Sequence, residues 1–188
     1  FSSLDVDLRE HLSQELRAIL HESDTTALFV THDQGEAFAI GDIVGVMHQG
    51  RLEQWDAPYT VYHRPATRFV AEFIGSPTMN FVSAERSANG LAAQGQVLQL
   101  SAAQGAALEA ASAHCLYGLR PEHITLADHG LPGRLLMIEP TGPETYVLVE
   151  TALGKLTSRV AGHLRMQVGE TVHLQWAAEA AHLFDAAS

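Results

Sequence analysis

The sequence is poor in cysteine and in positive charge: 188 residues hold one cysteine, Cys115, and 11 Lys plus Arg against 22 Asp plus Glu. A single thiol excludes an internal disulfide, and it cannot anchor a structural zinc site without histidines at ligand spacing, so a reducing compartment is expected. A formal charge of −11 argues against nucleic acid as a partner, because sequence-independent binding needs clustered Lys and Arg to release counterions. Anionic membrane surfaces are disfavoured for the same reason. No apolar run approaches the roughly 20 residues of a membrane span, and no basic stretch followed by an apolar one opens the chain. Any membrane role is therefore expected to come through another subunit. The 11 histidines include no His-x-x-x-His pair and no C-x-x-C neighbour, so no metal site is expected. No G-x-S-x-G elbow supports a hydrolase triad.

What is present is core-forming: 46% of residues are apolar and 18% charged, which excludes a disordered chain. Leu4, Leu8, Leu12, Leu16, Ile19 and Leu20 recur at helical spacing, predicting an amphipathic helix over 4–22 with its stripe on a core. Ser2 or Ser3 would cap it, with Asp5 and Asp7 in the favourable first turn. The run Thr26-Ala27-Leu28-Phe29-Val30-Thr31 reads as a strand buried on both faces of a parallel sheet. A short helix over 34–41, a strand over 42–47, a turn at Gln49-Gly50 and a hairpin partner over 51–55 follow. Pro58 and Pro65 open helical stretches over 58–63 and 66–74.

After Gly75-Ser76-Pro77 the pattern becomes short strands with turn punctuation: 79–85, 96–100, 115–119, 123–127, 133–139, 144–151, 154–160 and 171–176. That spacing predicts a small all-β barrel or sandwich. The Ala-, Gln- and Gly-rich stretch 88–113 is expected to carry a mobile loop. Arg120-Pro121-Glu122-His123 has the residue types of an anion or proton site. A proline between two strands nevertheless favours a structural break there. The expected fold is thus α/β over residues 1–75 followed by an all-β domain over 76–188.

The most informative segment is FVTHDQGEA, residues 29–37. It sets His32 just beyond the carboxyl end of the expected strand, the edge where open α/β sheets hold ligands. An imidazole there can donate to a phosphate oxygen; on spacing alone, a surface histidine in a strand-to-helix loop is the commoner case. Phe1-Ser2-Ser3-Leu4-Asp5, the long helix and Thr31-His32-Asp33 together resemble the D-loop and switch-histidine region of ABC transporter ATPases. The continuation EAFAIGDIVGVMHQGRLEQWDAPYTVYHRPATRFVAEFIGSPTMNF, residues 36–81, has the form of that family's importer branch. YGLRPEHITL, residues 117–126, is similar to its regulatory transport-associated OB (TOBE-like) module.

The resemblance spans nearly the whole chain and implies a division of labour. It makes residues 1–75 the C-terminal part of a P-loop nucleotide-binding domain and 76–188 an OB-like regulatory domain. His32 would be the switch histidine contacting the γ-phosphate, and Ser3, Leu4 and Asp5 the D-loop across an ATP-bound dimer interface. No G-x-x-x-x-G-K-[ST] loop, LSGGQ-type signature or Walker B acid occurs in these residues. ATP and Mg2+ are thus expected in the intact subunit and neither on this chain alone, which is expected to be inactive by itself. The implied partners are transmembrane permease subunits, a second copy of the ATPase subunit and, indirectly, a solute-binding protein. The implied location is cytoplasmic, peripheral at the inner face of the cell membrane. FIGSPTMNF and YGLRPEHITL resemble sugar and glycerol-phosphate importers, whereas FSSLDVDLRE and EAFAIGD are closer to ferric-iron and polyamine members. The rival expectation is a non-catalytic regulatory module whose β-domain senses a small molecule.

Overall fold

In the computed structural model the described residues are 6–87, 90–110 and 113–186, and they fall into two compact units, Phe1–Ser76 and Pro77–Ser188. The first unit is mixed α/β. Helix α1 (Val6–Glu22) and helix α2 (Gln34–Ile40) precede a hairpin of β1 (Val44–His48) and β2 (Arg51–Asp56), then α3 (Pro58–His63) and α4 (Arg68–Phe73). The hairpin turns at Gln49 and Gly50, both at positive φ (47° and 78°). That pair matches the right-handed twist of two-residue hairpins, and glycine takes the second position without steric cost.

One face of the hairpin makes the unit's core: Val44, Val46, Val61, Val70 and Ile74 are buried, with Ala37, Phe38, Tyr62 and Phe69 packed against them. On the other face the Trp55 ring lies over Gly45, where an added Cβ would sit 2.7 Å from Trp55 Cε3. Pro58 starts α3 inside its first turn, as expected, but Pro65 does not start α4. Thr67 does, its hydroxyl accepting from Val70 N–H at 3.3 Å. Helix α1 is held to the end of α2 by Arg17, which donates to Asp42 Oδ1 at 2.7 Å and to the Ala39 carbonyl at 3.4 Å. Its leucine stripe is only partly covered, since Leu8 and Ile19 are 46% and 60% exposed. The capping serines proposed for it lie outside the described residues.

The strand expected over 26–31 is not formed. Among the described residues no ladder includes this segment, and Leu28 and Val30 are 84% and 86% exposed. A central parallel strand exists only through hydrogen bonds to neighbours on both sides. An apolar run without such neighbours keeps an extended course but gains no ladder.

The second unit is all-β with one helix. One five-stranded antiparallel sheet runs β12 (Ala181–Asp185), β6 (His114–Leu119), β3 (Asn80–Ser87), β4 (Gly90–Ala93) and β5 (Gln96–Leu98). The other runs β10 (Gly154–Ala161), β9 (Glu144–Thr151), β8 (Leu131–Pro140), β11 (Thr171–Gln175) and β7 (Thr125–Ala127). Both contribute to one core, with Val82, Leu91, Tyr117 and Leu119 from the first and Leu135, Val147, Leu156 and Leu174 from the second. In β9, for instance, Thr145, Val147 and Val149 are buried while the residues between them are partly exposed, the period-two pattern of a strand packed on one face.

The stretch 88–113 is not simply a loop. It holds β4, β5 and helix α5 (Ala102–Ala110), and α5 opens on a reciprocal cap. Gln104 N–H donates to Ser101 Oγ at 3.3 Å, and Ser101 N–H donates to Gln104 Oε1 at 2.7 Å, the S-x-x-Q capping box. Gln104 Nε2 also donates to the Ala181 carbonyl at 2.6 Å, tying the helix to β12. At 120–123 the structural reading prevails: Pro121–His123 form a 3-10 turn between β6 and β7.

Asn80 joins the two sheets. Its amide nitrogen donates to the Leu119 carbonyl at 3.0 Å and the Thr157 carbonyl at 2.9 Å, and its Oδ1 accepts from Thr157 N–H at 2.7 Å. Asn80→Ala would leave these partly buried backbone groups without that partner, so we expect a loss of about 3 kcal/mol in urea unfolding, seen as a lower midpoint at unchanged slope. A loss below about 0.5 kcal/mol would show the bridge to be dispensable.

Candidate functional site

Sequence reasoning pointed to the segment around His32, and the local geometry explains how that residue is held. Thr31 Oγ1 donates to Glu36 Oε2 at 2.6 Å and accepts from Asp33 N–H at 3.0 Å. Asp33 caps α2, its Oδ1 accepting from Glu36 N–H at 3.1 Å. The residues on either side of His32 are therefore both tied to Glu36, whose side chain is buried. Gln34 braces the same turn, donating to the Phe73 carbonyl and accepting from Gly75 N–H at 2.9 Å. His32 itself is exposed. The backbone carrying it is fixed while its imidazole faces solvent.

The same geometry limits what this turn can do alone. A phosphate cradle needs successive backbone N–H groups turned toward the anion, and in nucleotide sites a lysine as well. Here Asp33 N–H goes to Thr31 and Glu36 N–H goes to Asp33, so those two donors are used within the turn. No G-x-x-x-x-G-K-[ST] loop occurs in the sequence to supply the rest of such a cradle. Ser3, Leu4 and Asp5, the other sequence candidates, lie outside the described residues. No group of three or more His, Cys, Asp or Glu side chains able to hold a metal occurs among the described residues. Among them, too, no helix is long and apolar enough to cross a membrane.

Cys115 has no nucleophilic character: it is 2% exposed, and burial, reinforced by the nearby Asp185 carboxylate, pushes its thiol pKa up. The β unit has one feature that sequence reasoning missed, a cleft of about 270 Å³ between the end of β5, the β7–β8 loop and the end of β11. Its walls come from four separate stretches of chain, so no local motif signals it.

Two family models match the β unit, the TOBE domain over residues 117–184 and the MalK OB fold domain over residues 75–124. The fold is thus a mixed α/β region followed by an all-β TOBE/OB-fold domain. Over 98% of its length the chain is 38% identical to an uncharacterized ABC transporter ATP-binding protein of Sinorhizobium fredii, of which it covers 50%. It is also 38% identical, over 98% of its length, to the sn-glycerol-3-phosphate import ATP-binding protein UgpC of Chromobacterium violaceum, covering 51% of it. Identity to the xylose/arabinose import ATP-binding protein XacK of Haloferax volcanii is 35% over 98% of the chain, covering 50% of that protein. Along nearly its whole length the chain is thus similar to ATP-binding subunits of ABC importers, matching the C-terminal TOBE/OB-fold region of such subunits. It spans about half the length of the curated relatives it matches. Among solved structures, the cytoplasmic molybdate-binding protein ModG overlaps at a TM-score of 0.43 and 13% identity, over 56% of this chain and 95% of that one. That likeness is too distant to bear on ligands.

The state of Cys115 is directly measurable. With a disulfide reagent at pH 8 the folded chain is expected to react at least about 100-fold more slowly than the chain in urea, because burial and Asp185 both disfavour the thiolate. Equal rates would contradict the packing of β6 against β12.

Proposed function

We propose that this chain serves an ATP-driven solute importer, with residues 1–75 as the closing part of the nucleotide-binding domain and residues 76–188 as its regulatory domain. The observation that carries the reading is the clamped, solvent-facing His32. Its neighbours Thr31 and Asp33 are both bonded to Glu36, which gives the imidazole a defined origin without occupying it. Bound ATP with Mg2+ would supply the γ-phosphoryl group for transfer to water. His32 would hold a proton donor against that phosphate's oxygen, an electrostatic and positioning role and not a covalent one. Ser3, Leu4 and Asp5 would lie at the interface with a second ATPase subunit, as the family resemblance implies.

The β- and γ-phosphate cradle and the magnesium ligands would come from residues outside this sequence, so the chain alone is inactive in hydrolysis. Transmembrane permease subunits would hold the subunit at the cytoplasmic face of the membrane, and a solute-binding protein would act through them. The names of UgpC and XacK favour a sugar or glycerol-phosphate importer over the ferric-iron and polyamine types.

Two measurements test this. In the whole subunit assembled with its permease, His32→Ala should lower ATP hydrolysis at least about 10-fold, and undiminished turnover would overturn the assigned role. Titrating the 188-residue chain by itself with MgATP should give no binding at about micromolar concentration, and micromolar affinity would mean that a phosphate cradle exists within it.

A further inference from the structure

The cleft in the β unit shares no residue with the turn around His32, and its lining has a distinct chemistry. No Lys, Arg, Asp or Glu lines it. Its floor is apolar, made by Leu98, Leu131 and Leu174, of which Leu98 and Leu174 are 4% and 1% exposed. Trp176 forms one wall, and a chain of hydrogen bonds sets its ring. The indole Nε1–H donates to Tyr117 Oη at 2.9 Å, and that hydroxyl donates to the Gln99 carbonyl at 3.0 Å. The bonds run from the end of β11 to the end of β5, so they fix the ring against the opposite wall. Burial pushes the Tyr117 phenol pKa up, which keeps the hydroxyl protonated and able to donate onward.

The rim is polar and adaptable. Gln175 and His129 are both exposed, with Gln175 Nε2 3.5 Å from His129 Nε2. That separation is at the limit of a hydrogen bond, so both groups can turn to a ligand at little cost. Between them an amide and an imidazole offer donors and acceptors. Gly130 makes the rim possible: at φ 129° its Cα lies so close to β11 that a Cβ would stand 2.4 Å from the Leu174 carbonyl oxygen. Only glycine lets the β7–β8 loop lie against the strand there.

From these observations we infer that the cleft between Trp176, Gln175 and His129 binds a neutral, polyhydroxylated ring of monosaccharide size. A ring with an apolar C–H face and hydroxyl edges matches an aromatic wall over an apolar floor, with an amide and an imidazole at the rim. Each hydroxyl both donates and accepts, as those rim groups do. A neutral ligand is preferred to an anion because the lining has no Lys or Arg to pair with a negative charge. A quaternary ammonium needs several aromatic faces around it, and the cleft has one indole. The volume, about 270 Å³, is enough for one such ring.

The test uses Trp176 as its own reporter. The sequence has two tryptophans, and the other, Trp55, is on the exposed face of the β1–β2 hairpin, so Trp55→Phe leaves a single indole in the cleft. This chain, without nucleotide or permease, is titrated with glucose, xylose, glycerol 3-phosphate and adenosine while Trp176 emission is followed. A saturable change with a monosaccharide below about 10 mM is expected, weakened at least about 10-fold by Gln175→Ala and by His129→Ala. Both variants alter exposed side chains and should melt as the parent does. Four outcomes overturn the inference: no saturation by either sugar, tighter binding of glycerol 3-phosphate, tighter binding of adenosine, or unchanged sugar affinity in both variants. Each of them leaves the role of His32 standing, since that role is read from ATP hydrolysis by the assembled subunit.

Discussion

The side-chain amide of Asn80 bonds to the Leu119 carbonyl and to both backbone groups of Thr157, and much of the β unit follows from that bridge. Asn80 begins β3, Leu119 ends β6 and Thr157 is in the middle of β10, so one side chain fixes the register of one sheet against the other. Apolar packing alone tolerates sliding, because the hydrophobic effect has no direction. A partly buried amide with three partners does not, since any shift leaves polar groups without hydrogen bonds. At another part of the same core the Trp176–Tyr117–Gln99 chain ties strands in the same way, with a hydroxyl and an indole. Between these polar ties the Leu and Val side chains fill the interior, and the cleft opens where β5 stops short.

The α/β unit is built more sparingly. Among the described residues its buried apolar side chains come from one face of a single hairpin and from three short helices and their ends, the helices beginning at Asp33, Pro58 and Thr67, residue types that favour a helix start. The cap at Asp33 also has a consequence for function, because the hydrogen bonds that start α2 immobilise both neighbours of His32. Stability and presentation of the imidazole thus arise from the same contacts. The Asp33 and Glu36 N–H groups are spent on that clamp.

Much of this was legible in the residues. Gln49-Gly50 announced its hairpin because few residues tolerate two successive positive φ values, and the alternating Val147 and Val149 announced β9. The run 26–31 misled because an apolar strand is defined by its neighbours, which a local pattern does not contain. Strand β5 falls within the strand expected over 96–100, but strand β4 and helix α5 were hidden by an Ala-, Gln- and Gly-rich composition that resembles a loop, although Ser101-Ala102-Ala103-Gln104 carried a readable capping box. Strand β12 was missed because Ala181–Asp185 is short and owes its place to pairing with β6. His32 stood out through family resemblance, since its spacing alone favours a surface histidine. The cleft was not legible at all, because its walls meet only after both sheets have formed.

The β unit has a complete, register-locked core, while Leu28 and Val30 lie outside any ladder. Amide hydrogen exchange on the 188-residue chain tests both halves of that claim at once. The amides of Leu28 and Val30 should exchange at least about 1,000-fold faster than those of Tyr117, Val147, Val149 and Leu156. Equal protection of the two sets would contradict it.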